Sequence, residues 1–341
     1  MGIDKKIGRL KKGKLNLITD VKGVKIGHKT LANGNIQTGV TAIIPTENNI
    51  FKEKFLCASH VINGFGKSVG LVQVDELGTL ETPIILTNTL SVGTALTGLV
   101  KYMLKNNLEI GESTGTVNPL VLECNDMRLN DIRALNVKEE DIFDAIKNAN
   151  SIFEEGAVGA GRGMKCYELK GGIGSSSRVF ELDGKEYTLG SLVMTNHGRF
   201  NELVIDGKYF SDKYPHKVLN EKDKGSVITI LATDAPLSSR QLKRLAKRAV
   251  AGLCRNGSYI SNGSGEIVIA FSTANIIKHD SNKILNLKSI SDDAIDLLFT
   301  AVGDSVCESV LSSLYHAETV VGKNGFTVYS IKDVIKKKFI R

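Results

Sequence analysis

The chain's 341 residues, 42% hydrophobic and 24% charged, supply a sizeable core for one large domain or two ordinary ones, which excludes a disordered solvating chain. Mean hydropathy is −0.04 and no apolar run approaches the roughly 18 residues of a membrane span, so a membrane protein is excluded and a cytoplasmic location is the default expectation. The net charge of +7 is concentrated at the two ends, at Lys5, Lys6, Arg9, Lys11, Lys12 and Lys14 and at Lys336, Lys337, Lys338 and Arg341, which read as solvated tails rather than a nucleic-acid surface.

In chain order, apolar runs bounded by turn residues predict strands over Leu17–Val21, Thr38–Ile44, Gly70–Val74 and Pro83–Thr87. A helix is expected over Ser91–Leu104, and another from about Lys138 to Phe153, stopped at Gly156. Strands follow over Leu192–Thr195 and Ser226–Ala232. The clearest helix spans Ser238–Cys254, with Leu242, Leu245, Ala246, Ala249, Val250 and Leu253 on one face, a Ser238/Gln241 capping box and an Asn256-Gly257 stop. Glu266–Phe271 reads as a strand, Asp292–Tyr315 as a helix behind Ser291, and Phe326–Ile331 as a last strand. The strands are too apolar to have a wet face, so the expected class is α/β with sheets covered by helices. Asp206–Lys224 is polar and reads as an exposed linker, ending abruptly at Gly225-Ser226.

Several familiar sites are missing. The five cysteines (Cys57, Cys124, Cys166, Cys254, Cys307) are scattered and never spaced C-x-x-C, which argues against disulfides and a zinc cluster. The six histidines have no metal-ligand spacing. GFGKS at 64–68 has Val61 where a phosphate loop needs glycine, GAVGAGRG at 156–163 breaks the dinucleotide pattern at Met164, and no G-x-S-x-G elbow is present. The N-terminus MGIDKKIGRLKKGKLNL lacks the apolar stretch of a secretory signal.

Two places carry possible chemistry. A serine after glycine, at the head of a buried strand and behind a polar linker, is where a cut would make Ser226 a new N-terminus. A free α-amine has a pKa of about 7.7–8.0, so one residue would then supply both nucleophile and base. The plain alternative is an ordinary strand start. In Asn262-Gly-Ser-Gly-Glu266, Ser264 and Glu266 are two apart and would share a strand face as a hydroxyl–carboxylate pair; the plain alternative is a turn with an exposed glutamate.

Across nearly the whole length the sequence resembles the DmpA-type aminopeptidases, which include L-aminopeptidase D-amidase/D-esterases and β-peptidyl aminopeptidases. The resemblance lies in LNLITDVKGVKIGH (15–28), TGVTAIIP (38–45), TPIILTNTLSVGTA (82–95), GMKCYELKGGIGSSSRV (163–179), LVMTNHG (192–198), GSVITILATDAPL (225–237) and NGSGEIVIAFSTAN (262–275). It implies a four-layer α-β-β-α sandwich, shared with the ornithine-acetyltransferase type, forming a single catalytic domain over 1–341. It also implies self-cleavage between Gly225 and Ser226 into chains 1–225 and 226–341. Ser226 is then the nucleophile, Ser264 and Glu266 its partners, Asn196 an oxyanion-hole side chain, and Glu123 the acceptor of the substrate's ammonium group. The implied substrate is a short peptide or an aminoacyl amide or ester. No metal or organic cofactor is implied, nor a nucleic-acid or membrane partner, and the cleaved protomers are expected to form a homotetramer. Where family members have a stretch like DGxLNDI this chain reads DMRLNDI, so Arg128 is expected to alter the acyl side chain accepted. The rival readings are an amino-group acyltransferase of the ornithine-acetyltransferase type and an uncleaved, non-catalytic binding protein. Serine at 226 and the ATDAPL block favour hydrolysis.

Overall fold

The computed structural model describes residues 7–214, 225–280 and 283–336. Its main strands are β1 (Lys25–Asn33), β2 (Ile36–Ile44), β3 (Glu53–Gly64), β4 (Thr79–Leu80), β5 (Ile84–Asn88), β6 (Leu120–Cys124), β7 (Ile173–Leu182), β8 (Lys185–Asn196), β9 (Ser226–Thr233) and β10 (Gly265–Lys278). The helices are α1 (Leu71–Leu77), α2 (Val92–Asn106), α3 (Glu139–Lys147), α4 (Phe210–Lys213), α5 (Ser239–Arg255), α6 (Asp296–His316) and α7 (Ile331–Lys336).

Every residue of β9 is buried, which requires cover on both faces of the sheet. Ile228, Ile230 and Ala232 enter one core with Leu192, Met194, Ile267 and Ile269, and with Ile26, Val40, Ile84 and Leu122 of a second sheet. Val227 and Leu231 enter another, with Leu242, Leu245 and Ala249 of α5 and Val302, Val306 and Val310 of α6. The result is a four-layer α-β-β-α sandwich. One sheet runs β1-β2-β5-β6 and is covered by α2 and α3; the other runs β4-β3-β10-β9-β8-β7 and is covered by α5 and α6. Two registers position the site. Antiparallel pairing sets Ser226 opposite Asn196, and parallel pairing sets it level with Gly265.

Several local expectations give way to tertiary context. Leu17–Val21 contains a 3-10 turn (Ile18–Asp20), because the Ile18 N–H goes to Ser175 Oγ (2.7 Å) instead of a strand ladder. Gly70–Val74 belongs to α1, with Val74 buried and Val72 exposed, a helical rather than an alternating pattern. The third helix ends at Lys147, since Asn150 turns back to pair with Ile26. Of Phe326–Ile331 only Thr327–Val328 forms a strand, and Ile331 begins α7. The linker is ordered in its first part: Val204–Ile205 pairs with Lys208–Tyr209, and α4 buries Phe210; residues 215–224 lie outside the described residues. The basic N-terminal segment is not a free tail from Ile7 onward. Lys12 Nζ pairs with the buried Glu308 (2.5 Å), which also receives Arg178 (2.6 Å), and the Arg9 N–H donates to Asp304 (3.3 Å). Lys5, Lys6, Lys337, Lys338 and Arg341 lie outside the described residues.

Candidate active site

The two sheets meet at the C-terminal end of β6. Cys124 Sγ lies 3.7 Å from the Met194 carbonyl of β8 and also meets the Ser226 side chain at the head of β9, while burial raises its thiol pKa far above the ordinary value. Ser226 is buried, 6% exposed, so its hydroxyl reaches only what the cleft admits. Its register partner Asn196 holds its amide in a fixed orientation: Oδ1 accepts the Lys165 N–H (2.9 Å) and Nδ2 donates to the Asn125 carbonyl (2.9 Å). An amide nitrogen has two hydrogens, so one remains for an incoming oxygen.

On the other side of β9, the Gly265 N–H donates to the carbonyl of Gly225 (3.2 Å). A Cβ on Gly225 would collide with the Asn196 carbonyl and approach His197 Cα to 2.7 Å. Glycine stands there because the chain presses against β8. Ser264 and Glu266 face the same way, as their spacing predicts, with the Ser264 hydroxyl donating to Glu266 Oε1 and both side chains fully buried. The exposed-glutamate alternative is thereby removed. Asn63 at the end of β3 sets the preceding turn, its Nδ2 donating to the carbonyls of Ser261 (3.1 Å), Asn262 (3.4 Å) and Ser264.

Glu123, on β6 next to Cys124, is 4% exposed. Its Oε1 accepts the Lys67 N–H (2.9 Å) and its Oε2 the Thr89 hydroxyl. The glycine-rich Gly64–Ser68 segment that fails as a phosphate loop therefore turns an N–H toward a carboxylate of the protein itself. Each carboxylate oxygen keeps a second acceptor site, so Glu123 can still take an ammonium group. Met127 and Arg128 are exposed on the loop beyond it. In that loop Asp126 is fully buried, and burial, against hydrogen bonds from Thr38 and Asn130, raises its pKa to about 7.

The structure thus gathers Ser226, Asn196, Ser264, Glu266 and Glu123 around one junction. Sequence reasoning missed Cys124, Thr89, Asn63 and the backbone donors of Lys67, Lys165 and Gly265. Thr89 and Lys165 fall inside matched blocks, but no residue chemistry marks them, and backbone donors have no side-chain signature. Among the described residues no group of three or more His, Cys, Asp or Glu side chains is disposed to hold a metal ion.

The model for peptidase family S58 matches residues 16–328. The β-peptidyl aminopeptidase BapA of Sphingosinicella microcystinivorans is 36% identical over 93% of this chain and 86% of its own length. Among solved structures, the PH0078 protein of Pyrococcus horikoshii OT3 is 50% identical over 98% of both chains, with a TM-score of 0.94. The L-aminopeptidase D-Ala-esterase/amidase of Ochrobactrum anthropi, described as a prototype serine aminopeptidase and a variant of the Ntn hydrolase fold, is 34% identical over 97% of this chain and 95% of that one, with a TM-score of 0.90. Fold and sequence similarity over nearly the whole chain agree: the chain belongs to peptidase family S58, the DmpA/BapA aminopeptidases.

Proposed function

We propose that this chain is a self-processing aminopeptidase that cuts its own Gly225–Ser226 bond and then removes N-terminal residues from short peptides, aminoacyl amides or esters through an acyl-enzyme on Ser226. The observation that carries the reading is the junction at Ser226, where one serine meets an orienting amide, a backbone N–H on the preceding carbonyl, and a buried hydroxyl–carboxylate pair. In the first step the Ser226 hydroxyl attacks the Gly225 carbonyl, and the Gly265 N–H steadies the developing oxyanion. The C–N bond breaks, the nitrogen leaves as the Ser226 amine, and water hydrolyses the ester left on Gly225.

Cleavage changes the chemistry at one atom. An amide nitrogen is not basic, whereas the freed α-amine, with an ordinary pKa of about 7.7–8.0, takes the hydroxyl proton directly or through water. Departure of residue 225 also frees the Gly265 N–H for the substrate's carbonyl oxygen, beside the second Nδ2 hydrogen of Asn196. Ser264 and Glu266 polarise the proton path, and Glu123 binds the substrate's ammonium. Water then releases the acid. The names of the relatives support both α- and β-aminoacyl substrates. Cleaved protomers assemble as a homotetramer, and the enzyme works in the cytoplasm; among the described residues no helix is long and apolar enough to cross a membrane.

Intact-mass analysis of freshly purified protein tests this directly. The 36.9 kDa chain should give fragments of about 24 and about 12 kDa, the smaller beginning Ser-Val-Ile-Thr. Ser226→Ala should stay one chain and be inactive on L-alanyl and β-homoalanyl p-nitroanilides. An active chain that remains whole, or an active Ser226→Ala, overturns the mechanism.

A further inference from the structure

Beside Asn196 sits a hairpin, Lys165–Cys166 paired with Leu169–Lys170, whose two turn residues Tyr167 and Glu168 have φ of 51° and 60°. Its tip is tied to the residue after Asn196, the Tyr167 N–H donating to the His197 carbonyl (2.7 Å). At its base Lys170 is fully buried, and its Nζ donates to the carbonyls of Gly161 (3.0 Å), Met164 (2.7 Å) and Gly171 (2.7 Å). An ammonium has three hydrogens and a neutral amine two, so three carbonyl acceptors fit the charged form. Burial pulls the other way, drawing the proton affinity well below that of a free lysine, and the carbonyl dipoles oppose that pull. The Met164 carbonyl and the Lys165 N–H are the two ends of one planar peptide group. That N–H is the donor to Asn196 Oδ1.

We propose that Lys170 is a positioning residue for the oxyanion hole: by binding the Met164 carbonyl it fixes and polarises the peptide group that holds the Asn196 amide oxygen, and so aims Nδ2 at the reacting carbonyl. Cooperative polarisation along such a chain strengthens each bond in it. The inference rests on Asn196 acting as an oxyanion donor.

A double-mutant cycle over Asn196→Ala and Lys170→Met tests it, with turnover of L-alanyl p-nitroanilide divided by the cleaved fraction; a variant that cuts slowly is assayed on its cleaved protomers once they have accumulated. Removing one oxyanion donor lowers kcat by about 100–1,000-fold. Lys170→Met, which loosens the donor without removing it, should lower kcat about 10–100-fold with KM within about twofold, and should add less than about twofold in the Asn196→Ala background. Should Lys170→Met not accumulate folded, Lys170→Gln, which keeps two donors in the cage, is carried through the same cycle. Additive losses, or a Lys170 variant with unchanged kcat where Asn196→Ala falls, overturn this proposal. An Asn196→Ala enzyme of wild-type kcat overturns instead the reading of Asn196 beneath it.

Discussion

Gly225→Ala tests the close packing at the proposed scissile bond. An alanine at 225 would set its methyl 2.0 Å from the Asn196 carbonyl oxygen and 2.7 Å from His197 Cα. Residue 225 must then move away from β8. Its carbonyl is held by the Gly265 N–H at 3.2 Å, the long end of the hydrogen-bond range, so a shift of even half an ångström breaks that contact. Loss of one such donor costs about 2.7–4 kcal/mol of transition-state stabilisation, roughly 100–1,000-fold in rate. Self-cleavage of Gly225→Ala should therefore be at least about a hundredfold slower than wild type, followed by intact-mass spectrometry from first synthesis, with its melting temperature compared with that of the Ser226→Ala precursor. Residue 225 plays no part once cut, so each cleaved protomer of the variant should hydrolyse aminoacyl anilides at the wild-type rate. Cleavage within threefold of wild type would refute the argument that this contact presents the carbonyl.

Glu266→Gln keeps the shape of the buried pair but removes its charge, and turnover per cleaved protomer should fall by about a hundredfold or more; a rate within twofold of wild type would leave the pair structural. Wild type should prefer a free over an N-acetylated aminoacyl p-nitroanilide, and Glu123→Gln should weaken productive binding of the free form by about 1.5–3 kcal/mol; equal cleavage of both by wild type would sink the assignment of Glu123. Asp126, with a folded pKa raised from 3.8 to about 7, contributes stability that is fully present below pH 3.8 and lost as pH rises through 7, at most about 4 kcal/mol in all. Denaturant melts between pH 4 and 8 should therefore show wild type losing stability relative to Asp126→Asn as pH rises, and parallel curves would show that the carboxyl ionises as it does in the unfolded chain.

The parts of the fold legible in the sequence were those whose burial is uniform or cleanly periodic. The Ser226–Ala232 run is buried on both faces and reads as a strand without ambiguity, and the amphipathic Ser238–Cys254 pattern with its capping box gives α5 almost to the residue. β1 escaped because KIGHKTLAN is an edge strand that mixes exposed and buried positions, and β6 because five buried residues with a glutamate among them carry no period. α1 was misread because seven residues with valine two apart satisfy either period until the sheet beside them decides which face is covered.

The site divides along the same physical line. Ser264 and Glu266 are two apart on one chain, so strand geometry alone brings them together. Ser226 and Asn196 are 30 residues apart in sequence and become partners through β8–β9 register, which no local pattern encodes; only the resemblance joined them beforehand. The contacts that orient the reactive groups are further from reach, because most are made by main-chain atoms: Lys67 N–H on Glu123, Lys165 N–H on Asn196, and Gly265 N–H on the Gly225 carbonyl. Every residue but proline carries such a donor, so its use is fixed by where the chain runs and not by which residue supplies it. A lysine whose ammonium is spent on three carbonyls lies at the same limit: its side chain is visible in the sequence, but its role lies in the peptide groups it holds.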